Sequence, residues 1–130
     1  SRAMSISSFR DLRVWQQGMD LVVAIYRMTS LFPRHETYGL ASQLQRAAVS
    51  RPSNLAEGHT REHTREYVHH VSIARASLAE VETQCEIAHR LGYLGVDDLQ
   101  RLLNETSTLG RQLTALRDSL ARRLEAGSNP

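Results

Sequence analysis

Six histidines, one cysteine and sixteen arginines are the side chains of this 130-residue sequence best suited to chemistry. Two stretches, Glu66-Tyr-Val-His69 and Glu86-Ile-Ala-His89, match the Glu-x-x-His pattern by which di-metal bundles supply ligands from facing helices. Both fall on one helical stretch, twenty residues apart. At ~1.5 Å rise per residue they stand roughly 30 Å from each other and cannot share a metal pair. His59 and His63 are four apart and could grip zinc from one helix face. Their third ligand would have to come from Glu62, Glu66 or another chain, and solvated surface histidines account for the same pattern. Cys85 lies on an apolar seam with no base beside it, which reads as a small core residue. A single cysteine also excludes an internal disulfide framework and fits a reducing, cytoplasmic setting. No nucleophile elbow and no Gly-rich phosphate loop occurs, so neither an enzyme nor a cofactor or metal is expected.

Every basic residue is arginine, yet the net charge is only +2. A balance this close to neutral neither demands nor forbids nucleic acid, and only clustering would argue for it. Arg46, Arg51, Arg61 and Arg65 gather in one part of the chain, where Glu57, Glu62 and Glu66 intervene. One copy therefore offers a weak patch, while a ring of copies would multiply it through avidity.

The elements that carry these residues read as helices throughout. From Leu12 one apolar stripe runs through Trp15, Met19, Val22 and Tyr26. A second runs beside it through Val14, Gly18, Leu21, Ile25, Met28 and Phe32. Together they are wider than one core requires, so this helix is either central or shared between a core and a partner subunit. Ser8-Phe-Arg-Asp11 resembles a capping box before it, and Pro33 is expected to end it. A second helix turns Leu40, Leu44, Ala47, Ala48 and Leu55 inward. In the third, Tyr67, Val71, Ala74, Leu78, Val81, Cys85 and Ala88 step by four and three, a heptad seam that predicts shallow packing angles. Gly92 suits its C-terminus. The fourth has its seam at Leu99, Leu102, Thr106, Leu109, Leu113, Leu116 and Leu120. Helices over about 12–32, 38–58, 61–91 and 97–125, joined by short links, predict an all-α, antiparallel up-down-up-down four-helix bundle. Residues 1–8 are expected to be a disordered tail or a cloning remnant, and 126–130 a second disordered tail. No apolar run approaches the roughly 18 residues of a membrane span.

Against this regular background, Arg46-Ala-Ala-Val-Ser-Arg-Pro-Ser-Asn-Leu-Ala-Glu-Gly58 is irregular, with a proline inside an apparent helix and Arg46, Asn54 and Glu57 among small residues. Taken with Phe9-x-x-Leu12-x-Val14-Trp15-Gln16, Tyr38-Gly39-Leu40-x-x-Gln43 and Ser77-Leu78-Ala79-Glu80-x-Glu82-Thr83-Gln84, it resembles the small four helix bundle protein family. That family was first noted as proteins encoded in intervening sequences of bacterial large-subunit ribosomal RNA, and it is sometimes labelled S23 ribosomal protein. The likeness covers about residues 9–94. It implies a ring-shaped homopentamer and kinship with the accessory protein of diversity-generating retroelements, which works with nucleic acid and a reverse transcriptase. The chain departs from the family's usual basic run after Gly58, where it has His59-Thr-Arg-Glu-His63-Thr-Arg-Glu66.

Two expectations follow. Arg46, Glu57, Glu80 and Glu82 are expected to form a buried or interfacial ion network, with Asn54 satisfying backbone groups loosened by Pro52. The protein is expected to be a non-enzymatic homo-oligomer that binds RNA or DNA through Arg46, Arg51, Arg61 and Arg65, within a ribonucleoprotein or beside a reverse transcriptase. The alternative is a structural or adaptor protein that engages another protein without nucleic acid.

Overall fold

The computed structural model describes residues 8–128 and is an all-α, up-down-up-down four-helix bundle. Its helices are α1 (Arg13–Thr29), α2 (Leu40–His59), α3 (Thr64–Arg90) and α4 (Val96–Ser128). Short 3-10 turns at Phe9–Asp11 and Arg34–Glu36 precede α1 and α2. Neighbours in sequence are neighbours in space, and α1 meets α4 much less extensively than α2 meets α3. Paired contacts prove the antiparallel sense. Asn54 and Ser50 of α2 meet His70 and Ser77 of α3, in reversed order.

The heptad seams of α3 and α4 form the core as the spacing predicts. Val71, Ala74, Val81, Cys85 and Ala88 are fully buried against Leu109, Leu113 and Leu120, with Leu21, Ile25, Leu44 and Leu55 closing the other side. Cys85 is an ordinary core residue whose thiol is pushed up to about 12, chiefly by burial and further by Glu82 and Glu86. Of the two stripes on α1, the one through Val14, Gly18, Leu21 and Ile25 faces the core. The other is split: Leu12, Trp15 and Val22 pack in part against the core, while Met19 and Tyr26, with neighbouring Val23, are between 40% and 48% exposed.

Several boundaries differ from the spacing-based expectation. Ser8 caps the 3-10 turn rather than α1, its Oγ accepting from the Arg10 amide at 3.1 Å. Helix α1 stops at Thr29, short of Phe32 and Pro33. There the Thr29 hydroxyl donates to the carbonyls of Ile25 and Tyr26, and Ser30 Oγ donates to Arg27 at 2.6 Å. Such local side-chain bonds compete with continued helix. At the other end of the chain, α4 continues through Ala126 and Gly127 to Ser128, where a disordered tail was expected. Extending an existing helix costs far less than starting one. Residues 1–7 and 129–130 lie outside the described residues, and with them most of the expected tails.

One end of the bundle is tied by polar contacts. Helix α3 ends in a Schellman motif: Tyr93 N donates to Ala88 O and Gly92 N to His89 O, both at 2.9 Å, with Gly92 at φ 84°. Tyr93 then reaches across, its hydroxyl donating to Glu36 Oε2 at 2.9 Å. The second Glu36 oxygen accepts from the Leu40 amide at 3.1 Å, so one carboxylate caps α2 and joins it to the α3–α4 link.

Candidate functional site

The irregular stretch of α2 resolves, residue by residue, into packing. Ala47 and Ala48 are buried, and their small size lets α2 lie close to its neighbours. Arg51 is 0% exposed. Its Nη2 donates to the Gly18 carbonyl of α1 at 3.2 Å, while Nε and Nη1 have no partner among the described residues. Burial pushes this guanidinium down to about 10, so it stays charged at neutral pH in the middle of the bundle. Gly18 makes the room, since a Cβ there would sit 3.3 Å from Arg51 Nε. The expectation that Arg51 contacts nucleic acid is thus corrected: a side chain sealed between α1 and α2 meets no ligand from solution.

Pro52 is also buried, and α2 runs through it as one continuous helix. The proline removes a hydrogen bond to the carbonyl four residues earlier, at Ala48. Asn54 does not replace that bond. Its Nδ2 donates to the Ser50 carbonyl at 2.8 Å and to Ser50 Oγ at 3.2 Å, two residues beyond Ala48. Asn54 Oδ1 in turn accepts from His70 Nδ1 at 2.9 Å, which fixes the imidazole tautomer. Ser77 Oγ donates to Ser50 Oγ at 2.8 Å. A polar ladder therefore links α2 and α3 along their seam. At its foot Gly58 is required by close approach, because a Cβ would lie 2.8 Å from His70 Cβ and 2.9 Å from Tyr67 Cδ1.

The expected ion network does not form within the chain. Arg46 is exposed and donates to Ser42 Oγ at 2.6 Å. Glu57 pairs with Arg61 one turn on, at 2.5 Å, and its nearer histidine, His70, is 3.9 Å away. Glu80 is exposed on α3. Glu82 accepts from Thr106 Oγ1 of α4 at 2.6 Å. Glu82 is turned to α4, and among the described residues Glu80, though only three residues from Ser77 on the side that meets α2, makes no ion pair with Arg46 or Glu57. Of the five, Asn54 makes the hydrogen bond between helices α2 and α3 and Glu57 the looser 3.9 Å approach, both to a residue, His70, that spacing did not single out. A histidine beside a heptad seam, facing an asparagine on the adjacent helix, was the available signal.

Of the four candidate binding arginines, Arg46, Arg61 and Arg65 are on the surface and only Arg51 is not. Arg61 and Arg65 lie at the bundle end where α2 passes into α3, and Arg61 lines one cavity there with Arg123 of α4. His59 is half-buried there with its ring edge against Tyr67, and His63 is exposed. His69 is exposed, whereas His89 Nδ1 donates to the Leu94 carbonyl at 2.8 Å and so serves the α3–α4 link. Among the described residues, no three His, Cys, Asp or Glu side chains converge as a metal site.

Comparison with known proteins agrees with this architecture. The profile of the 23S rRNA-intervening sequence protein family matches residues 10–115. The chain also superposes on a crystal structure of a protein of unknown function from the S23 ribosomal protein family of Bacteroides thetaiotaomicron VPI-5482. That superposition has a TM-score of 0.75 and 17% identity, and it covers 81% of this chain and 95% of the other. At that identity the likeness speaks for the fold. No curated protein matches the chain.

Proposed function

Since the chain belongs to the 23S rRNA-intervening sequence protein family, we propose that it is a non-catalytic bundle that assembles with copies of itself, as a pentameric ring, and holds RNA or DNA through surface arginines. The observation that carries the assembly is the outward stripe of α1. Trp15 and Val22 are half-buried there, and Met19, Val23 and Tyr26 are exposed. Val49 of α2 is exposed as well. Of the charged residues of α1, Asp20 and Arg27 flank Val23 at helical spacing, while none falls on the stripe through Trp15, Met19, Val22 and Tyr26. An aromatic- and methionine-bearing face depleted of charge has the composition of an interface core. A second copy of the chain is the occupant this reading gives that face.

The nucleic-acid half of the proposal is supported by Arg61, Arg65, Arg122 and Arg123, which one bundle end presents together. Each copy is nearly neutral there, because Glu57, Glu62 and Glu66 share that end. Repetition around a ring turns a weak patch into a useful one through effective concentration. No helix among the described residues is long and apolar enough to cross a membrane, and the proposed setting is the cytoplasm.

Sedimentation velocity together with fluorescence anisotropy on labelled single-stranded RNA and DNA tests the reading. A single oligomeric species should bind with an affinity that falls steeply as salt rises, from counterion release. A monomer at working concentration, or binding indifferent to salt, would contradict it and favour an adaptor that engages another protein.

A further inference from the structure

A cavity of about 700 Å³ opens at the bundle end where α2, α3, α4 and the start of α1 come together. Its apolar side is made by Leu12, Leu116 and Leu120, three residues from two different helical segments. Tyr67 and a polar rim of Arg61, His63 and Arg123 complete the lining, with Glu62 as the opposing charge. Burial raises the Tyr67 phenol above its ordinary value, while the nearby charge of Arg123 pulls it the other way, so the two side chains sense each other across the cavity.

The rim also holds a helix start that the chain leaves unsealed. His63 is the N-cap of α3 and gives it no side-chain hydrogen bond. The first backbone N–H groups of a helix have no partner one turn back; in α3 the Glu66 and Tyr67 amides donate to the His63 carbonyl, which leaves those of Thr64, a residue lining the cavity, and Arg65. An anion is the natural complement of such a terminus, the more so with an arginine opposite. Arg61 is already held by Glu57 at 2.5 Å, which leaves Arg123 as the rim's principal cation for a ligand. An apolar wall, an aromatic ring and a cationic edge are the three parts from which single-stranded nucleic-acid subsites are built.

We propose that this cavity is a nucleotide subsite, taking one phosphodiester of a single strand between Arg123 and the α3 N-terminus, with its base against Tyr67 and the leucine wall. It rests on the nucleic-acid reading above and gives that reading a location. It also separates the roles of the two ends of the bundle: the end tied by Glu36 and Tyr93 is structural, and the opposite end is the ligand-facing one.

The test compares the full chain with Arg123→Gln, Tyr67→Leu and a charge-matched control, Arg90→Gln, which lies on the surface at the other end of α3. The probe is a fluorescein-labelled oligouridine. Arg123→Gln should weaken binding and lower the slope of log affinity against log salt by about one, as expected for a lost phosphate contact. Tyr67→Leu should weaken it roughly five- to a hundredfold with the salt slope unchanged, as expected for lost stacking. Arg90→Gln should leave both quantities alone. Circular dichroism melts show that each variant is folded, and Tyr67→Phe, which keeps the ring and its packing, should bind as the unaltered chain does. Equal losses for Arg123→Gln and Arg90→Gln would overturn the subsite while leaving nucleic-acid binding intact. A chain that binds no oligouridine or oligothymidine at low salt would overturn both. Displacement of the strand by micromolar uridine 5′-monophosphate would instead mark a free-nucleotide site and reject the assignment to a strand.

Discussion

Arg51 places a guanidinium at the centre of the bundle with one hydrogen bond, to the Gly18 carbonyl, and no carboxylate beside it. Removing a charge from water costs several kcal/mol, and an apolar residue of similar volume at such a site is often neutral or stabilising by about 1–4 kcal/mol. Arg51→Met should therefore melt at the same temperature as the unaltered chain or higher. Arg51→Ala should melt lower, through the cavity it leaves. Thermal denaturation followed by circular dichroism separates the two, and a large loss of stability in Arg51→Met would mean that the charge itself holds α1 on α2. Glu57 calls for the opposite reasoning. Its partner Arg61 is on the surface one turn away, and such pairs contribute about 0.3–0.5 kcal/mol. Glu57→Ala should cost the folded chain little, in contrast to the effect a buried network would have. Cys85 should resist iodoacetamide in the folded protein at mildly alkaline pH, because its thiol is raised to about 12 and the thiolate is the reactive form. Rapid alkylation before unfolding would contradict its burial.

At the scale of elements, two joints govern how the helices meet. The first is the crossing of α2 and α3 at Gly58, where a methyl group would fall 2.8 Å from His70 Cβ. Alanine is a better helix former than glycine by about 1 kcal/mol. Overpacking costs typically 1–3 kcal/mol, so Gly58→Ala should be net destabilising in a urea titration, and an unchanged or higher midpoint would show that the seam can spread freely. The second joint is Glu36. Its carboxyl is held below the usual carboxylate range, first by the Leu40 amide and then by the Tyr93 hydroxyl. A group with a lowered folded pKa binds protons more readily in the unfolded chain. Its contribution is therefore complete above the ordinary value of 4.5 and disappears as pH falls below it. Glu36→Gln should flatten the fall in stability between neutral pH and pH ~3, because glutamine keeps an acceptor for Leu40 but does not titrate. Parallel acid dependence in the two proteins, measured by urea unfolding, would remove Glu36 from the account.

The whole molecule presents two distinct surfaces: a charge-depleted α1 face suited to another copy, and a bundle end with arginines around a cavity. Their separation lets each be disabled alone. Met19→Glu combined with Tyr26→Glu should give a folded, helical monomer by sedimentation, since both side chains are exposed in the single chain. Its nucleic-acid affinity should fall along with assembly, because avidity disappears even though Arg61, Arg65 and Arg123 remain. An oligomer that survives both substitutions would place the interface elsewhere.

Fold class, helix number and the core seams were legible from residue types alone. A heptad such as Val71, Ala74, Leu78, Val81 and Cys85 has one way to hide from water, and local period determines which face that is. The Gly92 stop was legible for a similar reason, since a positive φ is a local demand that glycine meets. The width of the α1 apolar surface was legible too, but not which stripe turned inward. That depended on Gly18 meeting Arg51 across two helices. Tertiary structure alone decided the fate of the charged residues. Arg46 and Arg51 lie five apart in the sequence and look alike there, yet one is in solvent and the other is sealed in the bundle. A long side chain's surroundings are set by what the neighbouring helices bring to it, and that information lies tens of residues away in the chain.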